Sequence, residues 1–152
     1  MIIDYVGVMM QVYNQLAADA TLMTAIGLGQ LLDNTQAVRP PYPLVLVGFP
    51  GKAEEPHLSI GYHPRPQLII PIEVRVWQRT AGGVDRTVKD MAIELYALVD
   101  AVESVIRANP RMGDGSKYIK VLPGSIPPPT LEIGENSQIL KTIVNVTLDT
   151  RI

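Results

Sequence analysis

The sequence contains no cysteine and only one tryptophan and one phenylalanine among its 152 residues. Without cysteine the chain can form no disulfide, no thiolate zinc site and no cysteine nucleophile. So few large aromatic side chains argue against a platform on which nucleic acid bases would stack. No apolar run approaches the ~18 residues that cross a membrane, and the first residues lack the basic start and apolar run of a secretory signal. We therefore expect no membrane contact.

Charge is also scarce in this chain. Charged residues make up 18% of the sequence and hydrophobic residues 47%, whereas a typical globular domain carries roughly 25% charged residues. The net charge of -2 provides no basic surface for nucleic acid. An apolar excess without a membrane segment favours burial against copies of the same chain or against partners. The alternative is a well-packed monomer with apolar, proline-rich loops.

The most informative stretch changes its period once, at a glycine turn. Residues 68–78 alternate apolar and polar side chains, which is typical of a strand with one buried face. Residues 80–83, Thr-Ala-Gly-Gly, end that pattern. Residues 84–107 then repeat apolar side chains at steps of three and four, which predicts a long amphipathic helix with Leu95 and Val99 in the core. A strand followed by such a helix predicts a sheet with a helix on one face.

The rest of the chain supplies further elements. Asp4 and Asp19 are candidate N-caps for a first helix and a short second one, and Gly27 ends the second. The continuous apolar run at residues 44–49 suits a strand buried on both faces. Residues 118–122 and 138–149 also have strand patterns. We predict a single α/β (α+β) domain over residues 1–152, with an N-terminal helix and a mixed or antiparallel sheet of about four strands. Those strands are residues 44–49, 68–78, 118–122 and 138–149.

Two segments are rich in proline and lack periodicity. Residues 51–66 form a long polar loop or β-arm, and residues 123–129 form a proline-rich extended loop. Within the first segment, Ile60 and Tyr62 are apolar anchors between polar and proline residues. We therefore predict that residues 51–66 contact a neighbouring subunit or partner.

The sequence offers no convincing catalytic, cofactor-binding or metal-binding constellation. His57 and His63 both lie in one polar loop, whereas a metal site needs ligands that converge from fixed elements. Residues 113–117, Gly-Asp-Gly-Ser-Lys, resemble a fragment of a phosphate loop but lack its upstream glycine and precede a predicted strand. Glu132 and Glu135 are candidates for paired carboxylates in acid–base chemistry, but we predict that both lie in a polar turn before the last strand. We predict a protein that is not an enzyme and that carries no cofactor.

Trp77 is the clearest candidate for an interface. By the parity of its strand it lies opposite the apolar face, together with Glu73 and Arg75. Buried tryptophan and arginine side chains are favoured interface anchors. The alternative is an aromatic ring covered by a loop of its own chain. The candidate subunit or partner contacts are therefore Ile60, Tyr62, His63, Arg65, Glu73, Arg75 and Trp77.

Taken in order, these segments resemble the tail terminator proteins of long-tailed bacteriophages, which complete the tail and join it to the head. The resemblance covers most of the chain but rests on short motifs. They are the N-terminal helix, residues 19–27 (DATLMTAIG), residues 39–47 (RPPYPLVLV), the strand at residues 71–77 with its glycine turn and long helix, and the closing strand at residues 138–149.

This resemblance implies a small subunit that assembles into a six-membered ring and is not an enzyme. Such a ring caps the finished tail tube, stops its polymerisation and presents a docking face to the head-side connector. The implied partners are further copies of the chain, the tail tube protein and the connector or neck protein, while DNA passes through the lumen without specific binding. The implied location is the virion, after assembly in the host cytoplasm. Alternatives are a tail assembly chaperone or other neck protein, a small hydrolase using loop carboxylates, and a non-viral oligomeric binding module.

Overall fold

The computed structural model describes residues 3–36, 43–53, 67–80 and 87–150, apart from the side chains of Ala53 and Ile119. Within these residues the chain forms three helices and seven strands. The helices are α1 (Tyr5–Ala17), α2 (Ala20–Ile26) and α3 (Val88–Ala108). The strands are β1 (Gln30–Asp33), β2 (Leu44–Val47), β3 (Gly51–Ala53), β4 (Gln67–Arg79), β5 (Tyr118–Pro123), β6 (Thr130–Ile133) and β7 (Ser137–Thr150).

All seven strands belong to one mixed sheet. Its main order is β1-β2-β4-β7-β5, with β3 paired to β4 and β6 paired to β7. The β1–β2 pair is parallel, and every other pair is antiparallel. β4 and β7 pair along the whole length of β4, from Gln67 opposite Asp149 to Arg79 opposite Ser137. These two long strands are the centre on which the other elements assemble.

The alternation along β4 divides the sheet into two faces. On one face Leu68, Ile70, Ile72, Val74 and Val76 are fully buried and join a core with all three helices. Successive side chains of a strand point to opposite faces, so the other face carries the intervening residues of β4 and β7. We call this second face the open face. The described helices pack only against the core face, because the core cluster contains no residue of the open face of β4 or β7.

Local sequence signals explain where the helices begin and end. The Asp4 carboxylate accepts a hydrogen bond from Gly7 N at 2.9 Å, and the Asp19 carboxylate accepts one from Leu22 N at 2.8 Å. Gly27 ends α2 with a φ of 61°, a conformation that glycine adopts without steric cost. The helices then bury their apolar stripes on the sheet; α3 does so with Met91, Leu95, Leu98, Val99, Val102, Val105 and Ile106.

The predicted fold class is confirmed, and the sheet is larger than expected. The predicted strands at residues 44–49, 68–78, 118–122 and 138–149 correspond to β2, β4, β5 and β7, although β2 ends at Val47. About four strands were predicted, whereas β1, β3 and β6 are additional. Glu132 lies in β6, so its placement in a polar turn was wrong. The reason is that these extra strands have only three or four residues each and depend on pairing with a neighbour.

Two predicted segments are described only in part. The long helix, expected from residue 84, is present as α3 from Val88 with Thr87 as its cap, and residues 81–86 lie outside the described residues. The predicted arm at residues 51–66 begins as β3, and residues 54–66 lie outside the described residues. Pro123 is the last residue of β5, and residues 124–129 follow without regular secondary structure.

Candidate interaction surface

The open face places polar side chains of two long strands side by side. Glu73, Arg75 and Trp77 project from β4, and the register sets them opposite Ile143, Lys141 and Ile139 of β7. The three residues of β4 are half-buried, and Ile143 is exposed. The prediction that Glu73, Arg75 and Trp77 share the face opposite the apolar residues of β4 is therefore confirmed. The other predicted contacts, Ile60, Tyr62, His63 and Arg65, lie outside the described residues.

Two ion pairs organise the charge on this face. Arg75 Nη2 lies 2.9 Å from Glu73 Oε2, and Lys141 Nζ lies 2.6 Å from Glu132 Oε1 of β6. Arg75 and Lys141 are directly opposite each other, an arrangement of like charges that is unfavourable by itself. Each cation has its own carboxylate, so these four side chains carry no net charge. The open face is therefore neutral at its centre.

The neighbouring cations lower the pKa of Glu132. The hydrogen bond from Lys141 and the positive charge of Lys141 lower the pKa of the Glu132 carboxyl, and the charge of Arg75 adds to the effect. Glu132 remains ionised at neutral pH and keeps its partner. The pair is exposed to solvent, so it fixes the position of side chains on this face more than it stabilises the fold.

A shallow pocket of about 150 Å³ opens beside these ion pairs. Its lining includes Pro127, Pro128 and Ile143, together with the charged residues Glu73 and Lys141. The hydroxyl of Thr142 donates a hydrogen bond to Pro127 O at 2.8 Å, which holds the proline-rich segment against β7. The lining is mainly apolar and its charged residues are already paired. Such a pocket suits a neutral apolar side chain of a partner.

Among the other candidates for chemistry, His57 and His63 lie outside the described residues, and the segment at residues 113–117 has structural contacts. Within the described parts of the chain, no group of three or more histidine, aspartate or glutamate side chains is arranged to hold a metal ion. The segment at residues 113–117 is a turn that leads directly into β5. The Asp114 carboxylate accepts hydrogen bonds from the hydroxyl and the backbone N of Ser116, and the hydroxyl contact is the main cause of the lowered pKa of Asp114. That carboxylate therefore closes its own turn.

Sequence reasoning missed the role of β6 in this surface. Its four residues, Thr130 to Ile133, alternate polar and apolar side chains, which was the available signal. All four residues are exposed, so the burial that usually accompanies this alternation is missing. The contact between Glu132 and Lys141 depends on the pairing of β6 with β7 and has no local signature.

None of the described helices is long and apolar enough to span a bilayer. No protein-family model matches the sequence, and no curated protein matches it. Among solved structures, one similar chain comes from a structure described as the virion of a native gene transfer agent (GTA) particle. The two chains are 16% identical and superpose with a TM-score of 0.55, over 96% of this chain and 98% of the other. At this identity the comparison shows that the two chains share a fold.

Proposed function

We propose that this protein is a structural virion component that, like a tail terminator, forms a closed ring of six subunits at the head-proximal end of a phage tail tube. The ring stops tube polymerisation and provides the docking surface for the head-side connector. The observation that carries this proposal is the fold shared over nearly the full length of both chains with a chain of a GTA virion particle. The sequence resemblance to tail terminators supports the finer assignment.

The composition and the open face support an assembly role. A closed ring of identical subunits needs heterologous contacts, so each copy must present two different, complementary surfaces. The open face with Glu73, Arg75 and Trp77 is one such surface in this proposal. Residues 54–66, with Ile60, Tyr62, His63 and Arg65, are the candidate for the other. The neutral centre of the open face suits a neighbour of the same weakly charged composition.

The proposed ring must also let DNA pass. A lumen with a strong basic patch would retain DNA through phosphate contacts. The chain carries 13 basic and 15 acidic residues, and on the open face Arg75 and Lys141 are both paired with carboxylates. This balance fits a channel that conducts DNA without binding a sequence. In this proposal the partners are further copies, the tail tube protein and the connector or neck protein.

The proposal is tested first on the purified chain. Native mass spectrometry should show one dominant closed oligomer, and negative-stain microscopy should show rings with an open centre. A chain that remains monomeric at millimolar concentration would contradict the ring.

The second test removes the gene from the phage or phage-like element that encodes it. Lysates should contain over-long or unjoined tails next to filled heads, and the gene supplied in trans should restore normal particles. Normal-length tails joined to heads would reject the terminator role. A complete loss of tail tubes would instead favour the assembly chaperone.

A further inference from the structure

The edges of the sheet differ in how their backbone groups are satisfied. An edge strand presents unpaired N–H and C=O groups that can pair with another strand, and proteins normally block edges that they do not use. The backbone groups of Leu31 and Asp33 point away from β2, towards the outer edge of β1. The Tyr13 hydroxyl donates to Leu31 O at 3.4 Å, Asp33 N donates to Gln36 Oε1 at 3.1 Å, and Gln36 N donates to Asp33 O at 3.1 Å. The chain itself therefore closes most of the β1 edge.

The edge of β5 is closed in a similar way. Val121 N points away from β7 and donates to Pro110 O at 2.7 Å. Pro123, the next residue with the same orientation, has no N–H to offer. An incoming strand would find few free donors along β5.

The edge of β6 is open. Gly134 N donates to Ser137 O at 2.8 Å in the β6–β7 hairpin. Backbone groups alternate in direction along an antiparallel strand, so those of Glu132 point towards β7. The backbone groups of Leu131 and Ile133 therefore point outwards. Within the described residues no strand pairs with this outer side. The side chains of Leu131 and Ile133 are 36% and 73% exposed. β6 thus combines free backbone groups with exposed apolar side chains.

The charge along this edge restricts what can bind. Its only ionisable side chain is Glu132, which Lys141 neutralises at 2.6 Å. Nucleic acid would need cations to neutralise its phosphates, and the edge has none to spare. A strongly charged peptide would gain no electrostatic attraction. The edge therefore fits a neutral, apolar extended segment.

We propose that the outer edge of β6 pairs with an extended segment of a second copy of this chain. The inference rests on the proposed ring, whose heterologous contacts require two different, complementary surfaces on every copy. A copy of this chain also meets the requirement for an apolar, weakly charged partner, with 47% hydrophobic and 18% charged residues. Pairing along four residues buries less than the roughly 800 Å² per partner of a stable interface. In this proposal the contact therefore extends from β6 onto the adjoining open face, which it reaches where Thr130 lies opposite Lys141.

The test measures amide hydrogen exchange on the wild-type protein, assembled and diluted to monomer. In the monomer the amides of Leu131 and Ile133 should exchange freely, while that of Glu132 is protected by β7. In the assembly all three should be protected.

Substitutions provide a second measurement. Ile133→Pro removes an outward N–H and leaves the hydrogen bonds to β7 intact, and proline is tolerated at such edge positions. We expect the assembly of this variant to dissociate at a protein concentration at least tenfold higher than the wild type does. Its far-UV circular dichroism spectrum should be unchanged. Ile133→Val keeps the N–H and a branched side chain, and should assemble like the wild type.

The outcomes separate this inference from the proposed function. A closed ring in which Leu131 and Ile133 exchange freely, or which Ile133→Pro leaves intact, overturns the edge contact and leaves the ring in place. Protected edge amides in a dimer or open chain support the edge contact and overturn the ring. A protein that is monomeric at all concentrations overturns both.

Discussion

Arg75 on β4 lies directly opposite Lys141 on β7, so two cations face each other across the centre of the open face. Each is paired with a carboxylate, Glu73 at 2.9 Å and Glu132 at 2.6 Å. The four side chains come from three strands, and the arrangement exists only because β6 and β4 flank β7. Removing either acid leaves adjacent positive charges with a single counter-ion.

Glu132→Gln should therefore destabilise the protein slightly at neutral pH, because the ion pair with Lys141 is partly exposed to solvent. The pKa of Glu132 is lowered in the folded protein, so its contribution is present above the pKa of the unfolded chain and is lost as pH falls through the folded value. The difference in Tm between wild type and Glu132→Gln should be measurable at pH 7, should disappear in acid, and should shrink in 1 M salt.

Glu135→Gln is the matched control for that variant. Glu135 is exposed in the same hairpin, and no described residue bonds to its side chain. Its Tm should differ little from the wild type at every pH. Equal changes in Tm for the two substitutions would show that the ion pair between Glu132 and Lys141 does not stabilise the fold.

Leu95→Ala should cost about 2–5 kcal/mol of the free energy of unfolding, because it creates a cavity between α3 and the sheet. Leu95 is fully buried, while Ile93 on the same helix is exposed. Ile93→Ala should change stability by less than about 0.5 kcal/mol. Urea denaturation of both variants measures the difference. A small loss at Leu95 would mean that the buried face of α3 is wrongly assigned.

The sequence was sufficient to predict the long, periodic elements. β4, β7 and α3 each carry enough repeats for their period and buried face to be read locally, and Leu95 and Val99 are buried as predicted. The caps at Asp4 and Asp19 were also predicted correctly, because a capping side chain acts within three residues of its own position.

The rest of the surface depends on distant pairing. Arg75 and Lys141 meet through the register of two strands that are far apart in sequence, and β6 is a strand because β7 lies beside it. No local pattern encodes either relationship. The sequence was enough to predict that Glu73, Arg75 and Trp77 share one face. It could not predict that the carboxylate of Glu132 lies near them, because that depends on how the strands pair.

Gly48→Ala tests a close approach between β2 and β4. A Cβ at residue 48 would lie 2.8 Å from Pro71 Cγ and 2.9 Å from Pro71 O, and Gly48 N donates to that oxygen at 2.8 Å. We expect a loss of about 1–3 kcal/mol, the usual range for overpacking. Gly51→Ala is the control, because the nearest atom to its Cβ would be 4.0 Å away. Similar stabilities of the two variants would show that the strand end can move aside.

Tyr118→Phe should reduce the dependence of stability on alkaline pH. Burial raises the pKa of Tyr118 to about 12, and its hydroxyl donates to Gln11 Oε1 at 2.8 Å. The folded protein then holds this proton between pH 10 and 12 after the unfolded chain has lost it, so stability falls as pH rises through that range. The variant should be less stable at pH 7, because Gln11 loses a partner. It should also lose less stability than the wild type between pH 10 and 12; equal slopes would contradict the assignment.

The final prediction separates folding from assembly at residues 54–66. Ala53 on β3 pairs with Gln67 on β4, so these strands can be joined by a two-residue Asn-Gly turn in place of residues 54–66. A shorter loop costs less closure entropy, so the free energy of unfolding of the monomer should be unchanged or higher. Assembly should weaken, because the proposed contacts of Ile60 and Tyr62 are removed. A replacement of equal length made of glycine and serine should keep the spacing and show the same loss in sedimentation velocity. If the Asn-Gly variant unfolds while any folded fraction assembles normally, the segment supports the fold and the second surface of the ring must lie elsewhere.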